Sequence, residues 1–139
     1  MRLNQTSPLS LGLLILRAGI GLVFFIHGWQ KFNESTIVGT TATFIEMGIP
    51  MADIAAPFTV YSEMVGGGLM LLGLLTRLVA LIYVFIMAAA ILFVHYSAGF
   101  YASQGGYEYP LLLGLVSLAL VLTGAGRYSL DGLLLAARK

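Results

Sequence analysis

Long apolar stretches alternate with short polar segments along most of this 139-residue chain. A membrane-spanning helix needs ~20 mainly apolar residues to cross ~30 Å of hydrocarbon. Stretches close to that length fall at residues 9–29, 58–75, 78–96 and 110–125. Pro8 and Pro57 stand where the first two stretches begin, and proline is well tolerated in a first helical turn. The pattern predicts an all-α fold with four transmembrane helices.

The connections between these stretches differ in length. Only Thr76 and Arg77 separate the second and third stretches, which predicts a tight antiparallel hairpin. Residues 39–47 are apolar toward one side and end at Gly48, which predicts a short helix lying at the membrane interface. We therefore expect residues 1–139 to form a single domain, a four-helix transmembrane bundle with a short interfacial helix between its first and second spans.

Composition excludes several classes of protein. Hydrophobic residues make up 59% of the chain and charged residues 9%, far from the balance of a soluble domain. A net charge of +1 gives no reason to expect nucleic acid as a partner. The absence of cysteine excludes a disulfide framework, a thiolate metal site, an iron–sulfur cluster and an internal thiol relay. Any redox chemistry then requires a bound cofactor or a partner protein.

The basic residues predict how the bundle is oriented. If the spans alternate in direction, one end carries all but one of the basic residues outside the spans: Arg2, Arg77, Arg127, Arg138 and Lys139. The opposite end has Lys31 alone. Because cytoplasmic segments carry an excess of Lys and Arg, both termini are predicted to be cytoplasmic, with the two long connections facing outward.

Ionisable residues inside the apolar stretches indicate where the protein works. A charged group in hydrocarbon costs at least ~2.5–3.5 kcal/mol, so it is retained with a partner or a task. Alternating spans bring His27, Glu63, His95 and Glu108 toward the outer end. Arg17 lies deeper, and helical spacing places it on the face of the first span that also carries Lys31. We expect Arg17 to form a buried ion pair with Glu63.

Simpler structural roles remain open for each of these residues. The Arg17–Glu63 pair is equally consistent with fixing the helix register, and His27 and His95 with polar tips bonded to loops. Haem or metal binding by the histidines stays open, but no ligand spacing motif is present, so no metal site is predicted. Glycines in the first two spans favour close helix packing over room for a flat ligand. They are Gly12, Gly19, Gly21, Gly28, residues 66–68 and Gly73.

The order and spacing of short motifs resemble the DoxX family of small bacterial and archaeal membrane proteins. The motifs are Leu16-Arg17, residues 21–24, residues 27–32, residues 48–50, Glu63, residues 74–77, His95, Gly99-Phe100, residues 105–109 and residues 126–131. The resemblance implies a four-helix bundle in the bacterial inner membrane. The family is named after a subunit associated with terminal quinol oxidase and thiosulfate:quinone oxidoreductase activity, and other members are linked to oxidative-stress and thiol-redox complexes.

The leading hypothesis is a component of a quinone-linked oxidoreductase with a polar pocket in the outer half of the bundle. Histidine titrates near neutral pH and is suited to proton delivery. The candidate catalytic residues are Arg17, His27, Glu63, His95 and Glu108. The candidate cofactor-binding residues, which would form a slot for a quinone, are Phe24, Gly28, Lys31, Tyr107 and Tyr109. Enzymatic activity by this chain alone is left open.

Two other functions are consistent with the sequence. The first is a non-catalytic membrane anchor or scaffold for a soluble redox or oxidative-stress enzyme. The second is a small-molecule carrier, which four spans without an internal repeat make the weakest of the three hypotheses. All three predict contact with the lipid bilayer, and the first two predict a redox partner protein or a homo-oligomer.

Overall fold

The computed structural model describes residues 7–137, and within that range it contains helices and no strand. The all-α prediction is therefore confirmed. Six α-helices follow one another: α1 Ser7–Gln30, α2 Thr36–Glu46, α3 Ala52–Leu72, α4 Thr76–Ala90, α5 Glu108–Thr123 and α6 Leu130–Ala137. Short π-helical turns extend two of them, at Lys31–Ser35 and Ile91–His95.

Three helical stretches are long and apolar enough to cross a membrane. They are Pro8–Glu46, Ala52–Leu72 and Thr76–Ala98. These stretches confirm a membrane protein and match three of the four predicted spans. The fourth predicted span corresponds to α5, whose 16 residues fall short of the length of a typical spanning helix.

The second span begins earlier than the sequence pattern predicts. We expected it to start at residue 58 behind Pro57, but α3 starts at Ala52 and encloses that proline. Met51, which adopts a left-handed conformation at φ 52°, starts the helix. Pro57 lacks an N–H and so removes one bond from the helix interior, which the longer helix tolerates.

The segment between α1 and α3 is a helix that changes direction rather than a loop followed by a separate helix. Thr36 has φ 62° and ψ 164°, outside the helical region, so α2 does not continue the axis of α1. Bonds within the turn hold this conformation, because Thr36 Oγ1 accepts from the Gly39 N–H and the Thr36 carbonyl accepts from Thr40. As a result α2 packs against α3.

Close backbone contact between α1 and α3 depends on glycine. A Cβ at Gly28 would clash with the backbone of Met64, and one at Gly67 would lie 2.6 Å from the Phe25 nitrogen. Glycine is therefore required at both positions for the helices to approach this closely, as the sequence predicted. The packing prediction is wrong for Gly12, Gly19 and Gly68, where a Cβ would meet no atom within 4 Å.

The helices form two packed pairs, α1 with α3 and α4 with α5. Phe24 of α1 and Tyr83 of α4 join the pairs, with stacked rings whose centroids are 3.7 Å apart. The Tyr83 hydroxyl, which is buried, donates to the carbonyls of Ser62 and Glu63 in α3 at 3.3 and 3.4 Å. This buried contact lies in the core below the end of the bundle that carries Lys31.

One end of the bundle is tightly bonded, and we refer to it as the Asp131 end. It contains the start of α1, the turn between α3 and α4, the end of α5, and α6. Asp131 Oδ1 and Oδ2 accept from the backbone N–H groups of Leu75 and Thr76, each at 2.9 Å. Arg77 donates to the Leu122 carbonyl at the end of α5. The opposite end, with Lys31, Glu63 and His95, is the Lys31 end.

Candidate functional site: a cavity at the Lys31 end

A cavity of about 510 Å³ lies at the Lys31 end, between the two helix pairs and beneath α2. Residues from α1, α2, α3, α4 and α5 border it, and most of its wall is apolar. Six residues that the sequence singled out line it: Phe24, His27, Lys31, Glu63, His95 and Tyr109. The structure does not bring Arg17, Gly28, Tyr107 or Glu108 to this lining.

An ion pair between Lys31 and Glu63 forms the polar part of the wall. Lys31 Nζ lies 2.5 Å from Glu63 Oε2, and the Glu63 side chain is only 5% exposed. Lys31 is the first residue of the π turn that follows α1, whereas Glu63 lies in the middle of α3. A carboxylate at this depth needs a close cation to offset its desolvation. His27 adds a further electrostatic interaction with the same carboxylate.

The predicted pair between Arg17 and Glu63 is wrong. The Arg17 side chain is 1% exposed and donates to the carbonyls of Met70 and Leu71 at 2.8 and 2.9 Å, and to that of Tyr128 at 2.7 Å.

The antiparallel packing of α1 and α3 explains this correction. Arg17 lies level with the last turn of α3, where carbonyl groups lack partners within the helix and the helix dipole favours a cation. Glu63 lies seven residues before Met70, about 10 Å away along the axis of α3. Lys31, two helical turns beyond Phe24 on α1, is level with Glu63 and pairs with it instead.

His95 borders the cavity from the other helix pair. Its Nδ1 lies 2.7 Å from the Gly105 carbonyl, in the loop that precedes α5. His95 is the last residue of the π turn that extends α4. Such turns are frequent at functional sites, and both π turns of this protein end at the rim of the cavity.

Two predicted residues serve the outer loop rather than the cavity. Glu108 Oε2 accepts from the Ala102 N–H at 2.9 Å and so closes the loop across six residues. The Tyr107 ring stacks on Tyr96, with centroids 6.3 Å apart, and meets Phe100 edge-on. Gly28 instead forms the close helix contact with Met64.

Sequence reasoning missed two residues that position the site. Tyr83 supports Phe24 from below and bonds to the backbone at Glu63; its signal was a single tyrosine in the middle of an apolar stretch. Asp131 anchors α6 to the start of α4, and this bond explains why the motif at residues 126–131 ends in an acid. Within residues 7–137, no group of three or more His, Asp or Glu side chains is arranged to hold a metal ion.

The sequence of this all-helical membrane protein matches the DoxX family model over residues 12–96, and the chain belongs to that family. The resemblance seen in the motifs is therefore confirmed.

Three similar proteins come from different bacteria. One, in Bacillus subtilis, is named "Putative oxidoreductase CatD" and is 37% identical over 87% of this chain and 85% of its own length. The uncharacterised membrane protein Rv3486 of Mycobacterium tuberculosis is 35% identical over 85% of this chain and 78% of its own. The inner membrane protein YphA of Escherichia coli is 31% identical over 86% of this chain and 87% of its own. No solved structure matches the chain.

Proposed function

We propose that this protein is the quinone-binding membrane component of an oxidoreductase, and that the ring of the quinone occupies the cavity at the Lys31 end. The single observation that carries the proposal is the cavity itself, an apolar space of about 510 Å³ with one ion pair in its wall. Pockets for small organic ligands have volumes of ~300–1,000 Å³, apolar walls and a few placed polar groups. The oxidoreductase name of the B. subtilis relative is consistent with this assignment.

The residues around the cavity fit a quinone in shape and in chemistry. Phe24 and Phe44 offer flat apolar surface on opposite sides, from α1 and α2. The Lys31 ammonium keeps two of its three hydrogens free of the Glu63 bond and can donate to a ring oxygen. When bound, a quinone carries two electrons and two protons. His27, Glu63 and His95 are the groups of this chain that can hold those protons at the cavity.

The electrons come from elsewhere, because the sequence encodes no cysteine for a redox centre. The proposal therefore includes a redox partner protein or a second copy of this chain. The outer loop offers such a partner exposed aromatic side chains, with Tyr96 67% and Tyr101 63% exposed. This loop also supports a second candidate function, a membrane anchor that holds a soluble redox enzyme without contacting quinone.

The proposed arrangement in the membrane has four spans, with α5 as the fourth. At 1.5 Å per residue α5 is about 24 Å long, slightly shorter than the hydrocarbon layer. One face of α5 packs in the core through Ser117 and Leu120. Its other faces expose leucines that favour lipid over water: Leu112, Leu115, Leu118 and Leu122.

Both termini are proposed to lie in the cytoplasm. Arg77 and Arg127 belong to the Asp131 end, and the Lys31 end has Lys31, whose charge Glu63 neutralises. The other basic residues of the predicted inner side, Arg2, Arg138 and Lys139, lie outside the described residues. A natural background without cysteine allows a direct test. Ser103→Cys should react with an impermeant maleimide added to intact cells, whereas Ala136→Cys should react only after lysis; the reverse pattern would refute this orientation.

Quinone binding is tested with the purified protein in lipid nanodiscs. We expect a decyl-substituted benzoquinone to bind in calorimetric titrations, and a native quinone to be identified by mass spectrometry in solvent extracts of the protein. Lys31→Met and Glu63→Gln should weaken binding on the order of tenfold or more, since a lost bond to a charged group costs ~1.5–3 kcal/mol. Glu34→Gln is the matched control, because Glu34 bonds to Gln30 on the exposed side of the same segment.

The outcome separates the two candidate functions. Absence of quinone binding by the folded wild-type protein, together with a redox enzyme that still co-purifies with Glu63→Gln, would refute the proposal and support the anchor. Equal affinities for wild type, Lys31→Met and Glu63→Gln would mean that quinone binds elsewhere on the protein.

A further inference from the structure

The hydrogen-bond partner of His95 defines the tautomer of its ring. A carbonyl oxygen can only accept, so at 2.7 Å from the Gly105 carbonyl the Nδ1 atom must carry a hydrogen. A neutral imidazole has a single N–H, which leaves Nε2 as an acceptor. Nε2 points away from the loop on the far side of the ring, and His95 lines the cavity.

Other polar groups of the lining are acceptors as well. The hydroxyl hydrogens of Thr40 and Thr43 are used within α2, where they are donated to the carbonyls of Thr36 and Gly39. Their oxygen atoms can then only accept from a ligand. The Glu63 carboxylate is an acceptor, and Lys31 is the fixed donor, with one hydrogen already committed to Glu63. His27 is able to take either role.

From this excess of acceptors we infer that the cavity selects the reduced, hydroxyl-bearing ring, a hydroquinone, over the corresponding quinone. The inference rests on the proposed function and adds to it the redox state of the bound ring. Both ring oxygens of a quinone are acceptors, so next to His95 and Glu63 they would leave these acceptors without a partner. A hydroquinone donates one hydrogen from each hydroxyl. An unsatisfied buried polar group costs enough to change affinity by about tenfold to a hundredfold.

The tautomer is tested directly by nitrogen NMR. The chain has two histidines, so protein labelled with ¹⁵N-histidine and carrying a tag free of histidine gives signals from two rings only. The signals lost in His95→Asn identify His95. We expect its Nδ1 to be protonated and its Nε2 to be unprotonated. A hydrogen on Nε2 would overturn the inference, because His95 would then be a donor toward the cavity.

Selectivity is tested by binding both redox forms of one ligand. Decyl-substituted benzoquinone and its hydroquinone, the latter kept reduced under nitrogen, are titrated into protein in nanodiscs. We expect wild type to bind the hydroquinone on the order of tenfold more tightly. His95→Asn places an amide N–H near the position of Nδ1, so it can keep the loop bond while the acceptor is lost, and the preference should disappear. His95→Gln places its amide oxygen near the position of Nε2 and should retain part of the preference.

The possible outcomes are distinct. Tight binding of both forms with equal affinity would leave the proposed function standing and refute this inference. Failure of both forms to bind would refute both. The comparison within wild type is decisive by itself if either variant does not fold, and loss of preference in His95→Asn alone identifies His95 as the residue that reads the hydroxyl.

Discussion

Arg17 and Tyr128, 111 residues apart in the chain, are joined by a hydrogen bond of 2.7 Å from the Arg17 guanidinium to the Tyr128 carbonyl. The same guanidinium bonds to the last turn of α3, so one side chain connects α1, α3 and the segment that leads into α6. A charge in the interior of a membrane protein usually indicates a functional site. Here the charge holds three segments together at the Asp131 end, away from the cavity.

The first prediction concerns this role of Arg17. Arg17→Lys keeps the charge but presents a single ammonium in place of a planar fork that reaches three carbonyls. We expect the protein to remain folded with a clearly lower melting temperature in detergent, corresponding to a loss of about 2–3 kcal/mol, since breaking a buried network is strongly destabilising. Affinity for the cavity ligand should stay within about twofold of wild type, because a twofold change is ~0.4 kcal/mol and Arg17 does not line the cavity. A large loss of affinity with little change in melting temperature would return Arg17 to the site.

The second prediction concerns Asp131, whose two carboxylate oxygens cap the start of α4. Asp131→Asn removes the negative charge and one of the two acceptors. We expect a loss of about 1–2 kcal/mol of stability, the usual scale for an N-terminal cap, measured as a lower melting temperature. Asp53→Asn is the matched control, because Asp53 is an exposed acid in the first turn of α3. Equal effects of the two substitutions would show that the cap is worth no more than an ordinary charge near a helix start.

The sequence predicted the class of the fold well because a bilayer imposes simple length and polarity rules. Apolar length predicted the membrane spans, and the four-residue motif around Thr76 predicted the hairpin between α3 and α4. The start of α3 could not be predicted, since a left-handed Met51 leaves no trace in hydropathy. The direction change at Thr36 was hidden for the same reason, because it depends on a backbone conformation that threonine rarely adopts.

The residues near the cavity were also partly predictable. Helical spacing brought Phe24, His27 and Lys31 to one face, and that face does line the cavity. The partner of Glu63 was wrong because sequence gives the face of a helix but not the relative height of two helices. That height depends on how far α1 slides along α3, and the close contact of Gly28 with Met64 sets it. With that contact known, Lys31 rather than Arg17 is level with Glu63.

The third prediction tests this contact. Gly28→Ala adds a methyl group against the backbone of Met64, which cannot move without displacing α3. We expect a loss of about 1–3 kcal/mol of stability, the usual cost of overpacking, together with weaker ligand binding because Lys31 and Glu63 no longer meet at the same height. Gly68→Ala is the control: no atom lies near its Cβ, and alanine favours a helix over glycine, so stability should be unchanged or slightly higher. Similar melting temperatures for both variants would contradict the packing argument.

The last prediction separates the structural contribution of the Lys31–Glu63 pair from its contribution to binding. Removing one partner, in Lys31→Met or Glu63→Gln, leaves the other group poorly compensated in an apolar wall, most severely when the carboxylate remains at 5% exposure. We expect Lys31→Met to be the more destabilising change, by about 3 kcal/mol, and the double variant to be less destabilised than the sum of the single variants. Ligand affinity should behave differently. The double variant should bind as weakly as Lys31→Met, because a restored melting temperature does not restore the ammonium that contacts the ring oxygen. If the double variant recovers both stability and affinity, the pair only holds α1 against α3, and the ligand is bound by other groups in the wall.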